Sequence, residues 1–229
     1  MSYAKIIKAL SLILSLCFIV SITASAQEMN YPVYKSKSNE EKKIALTFDD
    51  GPHPKKTQEI IKVLEKYGVK ATFFVVGVNV KNYPRAMQAL VDSGYEIGNH
   101  TYSHKLLKNA DKARIKDEIE KTEIEIIKNG SEKTKIIRPP CGEYNENLID
   151  ISLENDYKIV LWNIDTRDWA HTKKNDIVKN VLSKIKGGDI ILFHDYISGK
   201  NDTVEALEVI IPSLLEQGYE FVSVSELLQ

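Results

Sequence analysis

Seven short apolar runs of strand length recur between residues 44 and 224, with amphipathic stretches of helical period between them. The runs cover 44–48, 71–76, 95–98, 135–138, 158–164, 189–193 and 219–224. Helices are expected over 57–68, 85–94, 110–130, 175–188 and 201–218. In TQEIIKVLEKYG, Ile60, Ile61, Leu64 and Tyr67 share a face. Asn175 reads as a cap and Pro212 as a kink, and each helix runs into a glycine that can reverse the chain. Such β-α alternation leaves one architecture, a parallel sheet covered by helices in one domain, either open or rolled into a barrel. Periodicity does not separate those two, but in both the chemistry collects at the carboxyl ends of the strands.

The 31 Lys and Arg residues nearly balance 32 Asp and Glu, so charge gives no reason to expect nucleic acid or an anionic membrane as the main partner. The first 26 residues differ from the rest. Lys5 and Lys8 precede an uncharged apolar run that ends in Ala24-Ser25-Ala26, the pattern of a signal peptide cleaved after Ala26. An uncleaved anchor is the alternative, because the run from 9 to 26 is slightly shorter than the roughly 20 residues that span a bilayer. Lipid modification at Cys17 is disfavoured by Leu16 before it. Cleavage would leave Cys141 alone, with no intramolecular disulfide. Residues 27–41 are polar and aperiodic and read as a linker, which leaves 42–229 as one folded domain.

Five of the seven strand candidates end in reactive side chains. The first ends in Asp49-Asp50, the third in GNHTYSH with His100 and His104, the fourth in RPPCG, the fifth in DTRDW and the sixth in FHD. His100 and His104 are four apart, so one helical turn would aim both imidazoles the same way, a spacing that suits a divalent metal. A carboxylate from another strand end, with Asp50 the natural candidate, would complete a two-His, one-Asp set with open positions. Adjacent side chains on a strand diverge, so Asp49 would stay free for proton transfer.

In this order and spacing, TFDDGP, HTYSH, RPPCG, DTRDW and LFHD resemble the five motifs of the polysaccharide deacetylases, carbohydrate esterase family four, also called the NodB-homology domain. The resemblance covers 43–228 and implies a distorted (β/α)7 barrel. It implies that Asp49 is the general base, with Asp50, His100 and His104 holding one divalent ion, zinc foremost, with cobalt, nickel or manganese as alternatives. Arg138 would pair with Asp49, the Cys141 backbone N–H would help the oxyanion, and Asp168 would orient His194 as general acid. Leu192 and Trp169 would line the pocket for the acetyl methyl group. One position departs from the family, since tyrosine is usual where Cys141 stands.

Other polar residues read as structural. His53 and His171 are expected in loops, Asp165 holding loop backbone, Asp195 bonded to nearby backbone and Trp162 in the core. The charged run 111–128 reads as a solvated helix face, with Ile115, Ile119, Ile126 and Ile127 inward. The expected activity is removal of N-acetyl groups from amino sugars in a β-1,4-linked glycan, peptidoglycan N-acetylglucosamine first and N-acetylmuramic acid next. Chitooligosaccharide deacetylation and acetylxylan de-esterification are rivals on the same fold. A non-catalytic glycan-binding protein and an iron oxygenase using the same ligand types are rivals of other classes. No motif points to an oligomer, so a monomer is expected, secreted or at the outer face of the envelope.

Overall fold

A computed structural model describes residues 32–37 and 41–229. The expected signal segment, 1–26, lies outside the described residues. Nine strands are present among them: β1 (Val33–Tyr34), β2 (Lys43–Asp49), β3 (Thr72–Val75), β4 (Glu96–Asn99), β5 (Ile136–Ile137), β6 (Lys158–Val160), β7 (Ile164–Asp165), β8 (Ile190–His194) and β9 (Glu220–Phe221). They form one curled parallel sheet in the order β1-β6-β5-β4-β3-β2-β8-β7, with β9 on the other end of β2. Eight α-helices accompany them: α1 (Lys56–Tyr67), α2 (Gly77–Asn82), α3 (Pro84–Asp92), α4 (Lys112–Lys128), α5 (Glu146–Asn155), α6 (Lys174–Leu182), α7 (Thr203–Glu216) and α8 (Val224–Leu227). This is the β/α barrel that the alternation and the motifs imply.

Side-chain alternation along the central strands sets the inside and the outside. On β2, Ile44, Leu46 and Phe48 join the core beneath the helices, as do Phe73 and Val75 of β3 and Ile191 and Phe193 of β8. The intervening residues face the barrel, where Ala45, Phe74, Ile136, Val160 and Ile190 pack with Val222, Val224 and Leu227. Two-sided burial explains why these strands read as nearly continuous apolar runs. It also places Thr47 and Asp49 inward, one above the other, with Asp49 at the mouth. At the opposite end α8 closes the barrel, its capping box formed between Ser223 and Glu226.

Four expectations need correction. Residues 32–37, expected in a linker, enter the fold: β1 pairs with β6, and Ser36 bridges to Asp189 before β8. Val33 and Tyr34 supply apolar surface that packs against barrel clusters, a signal outweighed by the polar run that follows. The strand expected over 158–164 is two strands, because the chain leaves the ladder where the carbonyls of Val160 and Leu161 accept hydrogen bonds from Arg138. Helix α6 stops at Leu182 and starts without help from Asn175; Lys174 N–H instead donates to Asp202. On α4, Ile127 is half exposed, while Glu118 and Glu123 are buried. Helices α2, α5 and α8 escaped the sequence reading, although α5 carries an Asn145 cap accepting from Leu148 N–H.

Candidate active site

The carboxyl ends of β2, β4, β5, β7 and β8 converge on a cavity of about 460 Å³. Asp49, Asp50, His100, His104, Cys141, Trp169, Leu192 and His194 line it, together with Trp162 and Asp165. Arg138 and Asp168 lie behind the wall, fully buried. All ten residues singled out in the sequence therefore meet at one mouth. Trp162, expected in the core, is partly exposed and part of the lining.

Asp49 owes its position to Arg138. The guanidinium donates to Asp49 Oδ1 at 2.7 Å, to Thr47 Oγ1 at 2.8 Å, and to the carbonyls of Val160 and Leu161 at 3.1 and 3.0 Å. Its Cζ lies over the Phe74 ring, 4.0 Å from the ring centre, an arrangement that suits Arg and would not suit Lys. Gly98 makes this possible, since a Cβ there would come within 2.4 Å of the Phe74 ring. A buried cation saturated in this way neutralises Asp49 and fixes the carboxylate in one orientation.

Asp50 turns the other way. Its backbone is left-handed, with φ 77°, and its Oδ1 faces His104 Nε2 at 3.1 Å and His100 Nε2 at 3.4 Å. Burial pushes the Asp50 carboxyl up, but the two imidazoles, when they carry a proton on Nε2, overrule it and hold the group well below the usual carboxylate range. The histidines reach this arrangement from a loop and not from the helical turn that their spacing suggests: Thr101 and His104 have φ of 66° and 52°. Glu118 of α4 fixes the loop, accepting from Tyr102 N–H at 2.9 Å, Ser103 N–H at 2.7 Å and Ser103 Oγ at 2.6 Å. Asn99 braces it from below, accepting from Thr101 N–H and donating to the Ile119 carbonyl. Strained, over-determined backbone of this kind is characteristic of functional sites.

The trio fits a metal ion on two observations. Asp50 Oδ1 is buried without a hydrogen-bond donor, while one ligand atom from each of the three residues lies within 4.8 Å of the others. His100 Nδ1 sits 2.7 Å from the Arg138 carbonyl, which can only accept, so the lone pair of the neutral ring is on Nε2, facing Asp50. Two imidazoles and a carboxylate suit zinc and similar divalent ions.

His194 is the mirror of Asp49. Its Nδ1 lies 2.8 Å from Asp168 Oδ1, which leaves Nε2 for the cavity. Asp168 accepts in addition from Trp169 N–H, His194 N–H and Thr203 Oγ1, each at 2.9 Å. Burial alone would lower the His194 pKa; the Asp168 carboxylate overrules it and raises the imidazole to about 9. Asp195 is bonded chiefly through its side chain, accepting from Thr57 Oγ1, and not only through backbone as expected. Its burial raises the carboxyl to about 7. Asp165 accepts from Arg167 N–H and holds its loop, His53 accepts the N–H groups of Lys55 and Lys56, and His171 is an exposed loop residue.

Glu118, Asn99, Thr47 and Thr203 were missed from the sequence. Glu118 had a usable signal, since it falls on the face of α4 shared by Ile115, Ile119, Thr122 and Ile126, where an unpaired charge has no business without partners.

The polysaccharide deacetylase family matches residues 36–160. A peptidoglycan-N-acetylglucosamine deacetylase of Bacillus cereus is 38% identical over 193 residues, 83% of this chain and 90% of that one. A crystallised peptidoglycan N-acetylglucosamine deacetylase superposes with a TM-score of 0.83 at 36% identity, covering 86% of this chain and 92% of the other. A family-four pseudoenzyme from Bacillus anthracis superposes with a TM-score of 0.82 at 30% identity, covering 89% and 71%. These similarities, over a fold and a mouth of this composition, show that the chain belongs to the polysaccharide deacetylases of carbohydrate esterase family four.

Proposed function

We propose that the chain is a metal-dependent deacetylase that hydrolyses the N-acetyl groups of amino sugars in peptidoglycan, N-acetylglucosamine first. One observation carries the reading. A carboxylate paired with a buried arginine and an imidazole held protonated by a buried aspartate face one cavity beside a His-His-Asp trio. The family includes a pseudoenzyme, so membership alone does not supply turnover. Here each group that the reaction needs is present with its partner.

Amide hydrolysis needs a base for the attacking water, donors for the oxyanion and an acid for the departing amine. Asp49 takes the water proton as oxygen adds to the carbonyl carbon. Among the described residues nothing accepts from the Cys141 N–H, whose left-handed backbone, φ 56°, leaves it available to the oxyanion. His194 then gives its proton to the amine as the C–N bond breaks, releasing acetate and the free amino sugar. Leu192 and Trp169 supply the apolar wall against the methyl group. Asp50, His100 and His104 would hold the ion, zinc first, with cobalt, nickel or manganese as alternatives. When bound there it supplies a Lewis acid that lowers the pKa of water and polarises the carbonyl.

The same reading puts the enzyme outside the cytoplasm as a monomer, with 1–26 as signal peptide, where it would meet peptidoglycan. Two of the three relatives named above are peptidoglycan deacetylases, which favours that glycan over chitooligosaccharide or acetylxylan. The test is acetate release from purified peptidoglycan, chitooligosaccharides and acetylxylan, after chelation and with zinc restored, using Asp49→Asn as control. Zinc-dependent release, greatest from peptidoglycan and lost in Asp49→Asn, is expected. Preference for another substrate moves the assignment to it, and no release from folded protein points to a glycan-binding role.

A further inference from the structure

The cavity containing the trio is not the whole recess. A second one, of about 240 Å³, shares Asp50 and His104 with it and continues along Asn79, Ser103 and Tyr196. Tyr196 is two residues beyond His194. Its ring meets His53 edge-on with centroids 4.9 Å apart and lies 6.2 Å from the ring of Tyr83, whose hydroxyl is 3.4 Å from its own. His53 is itself fixed by the two N–H groups that its Nδ1 accepts, so Tyr196 leans on a rigid neighbour. None of these rings has a part in the amide chemistry, because base, acid and trio all face the first cavity.

A pyranose ring has an apolar face of C–H groups and a rim of hydroxyls. It is matched by a partly exposed aromatic ring with polar groups at its edge. The second recess offers that combination. Asn79 Nδ2 is used on the Asp50 carbonyl, which leaves its oxygen to accept, and Ser103 Oγ donates to Glu118, which leaves its lone pairs. A glycan that presents one acetamide to the trio must carry an adjoining sugar past its edge, and Asp50 and His104 form the border with this recess. We propose that Tyr196, braced by His53 and Tyr83, is the stacking surface for the sugar next to the one being deacetylated. The inference rests on the reading that the substrate is a β-linked amino-sugar polymer. It makes Tyr196 a determinant of chain-length preference.

The test is direct binding of chitopentaose to the zinc-loaded full chain carrying Asp49→Asn, which slows consumption of the ligand. With Tyr196 intact, one sugar's ring protons should shift upfield in the NMR spectrum on binding, the signature of an aromatic face. Tyr196→Leu, which keeps an apolar side chain, and Tyr196→Ala should each abolish that shift and raise Kd about tenfold, the worth of one stacked ring. Tyr196→Phe should bind within about twofold of the parent. Equal Kd for Tyr196→Leu, or loss in Tyr196→Phe as large as in Tyr196→Ala, overturns the subsite and leaves the deacetylase reading standing. Failure of the Tyr196-intact protein to bind the oligosaccharide at all overturns the subsite together with the glycan reading.

Discussion

Asp49 and His194 are register partners on adjacent parallel strands, β2 and β8. Partnered residues in a parallel pair point to the same face, on strands about 4.8 Å apart. The two groups proposed as base and acid therefore enter one cavity side by side. Each is backed by a buried charge of opposite sign, Arg138 behind Asp49 and Asp168 behind His194. The backbone ladder sets this pairing, and side-chain flexibility has little room to undo it.

Asp49→Asn and His194→Ala should each lower kcat by about 10²- to 10⁴-fold, the range of positioned proton transfer. The double variant should lose much less than the product of the two, since a step lacking its base gains little from its acid. Steady-state acetate release measures both, and a drop below about tenfold in either single variant would remove that residue from the roles given to it.

The pH profile follows from His194. The acid must carry its proton when the amine leaves, and Asp168 raises the imidazole to about 9 against the effect of burial. Activity should therefore persist through neutral pH and fall as pH rises through about 9. Asp168→Asn removes the anion that favours imidazolium, so the alkaline limb should move to lower pH. A kcat/KM profile on a neutral chitooligosaccharide separates this from substrate titration, and an alkaline limb that stays in place in Asp168→Asn contradicts the assignment.

Arg138→Met should be costly to the fold as well as to catalysis. The guanidinium is fully buried and makes four side-chain hydrogen bonds. Its removal leaves Asp49 as an uncompensated buried charge and two carbonyls without donors, which destabilises by about 3–5 kcal/mol. Adding Asp49→Asn should restore part of that loss, because the charge left behind is then gone. Urea unfolding of the two variants measures the recovery, and a double variant less stable than Arg138→Met would show that the ion pair is not what the arginine supports.

The fold was legible because two-sided burial writes β2, β3 and β8 as apolar runs and because glycines such as Gly68, left-handed at φ 63°, punctuate the helices. The mouth was legible because its reactive groups cluster at strand ends in an order that one family shares. Less visible were features that depend on partners distant in sequence. Thr47 and the carbonyls of Val160 and Leu161 matter only because Arg138 reaches them, and no local pattern announces a strand interrupted to serve a guanidinium. His100 and His104 converge as their spacing led one to expect, but by another route. Their four-residue spacing suggested a helix, whereas left-handed residues and the Glu118 carboxylate bend a loop to the same end.

That loop yields the last expectation. Zinc that binds only the folded state should raise the melting temperature, by about 2.7 kcal/mol of stability at a free concentration one hundred times Kd. His104→Ala removes one ligand of the trio and should abolish most of the shift. Glu118→Gln is subtler: it keeps size and polarity but weakens the acceptor that gathers Tyr102 N–H, Ser103 N–H and Ser103 Oγ. Partners behind metal ligands typically control about 10- to 100-fold in affinity. Glu118→Gln should therefore shift the zinc titration midpoint by that order, with a smaller change in stability when zinc is absent. A Glu118→Gln protein that binds zinc like the parent would show that the loop holds its shape without the carboxylate, and His104 would then owe its position to the Asn99 brace alone.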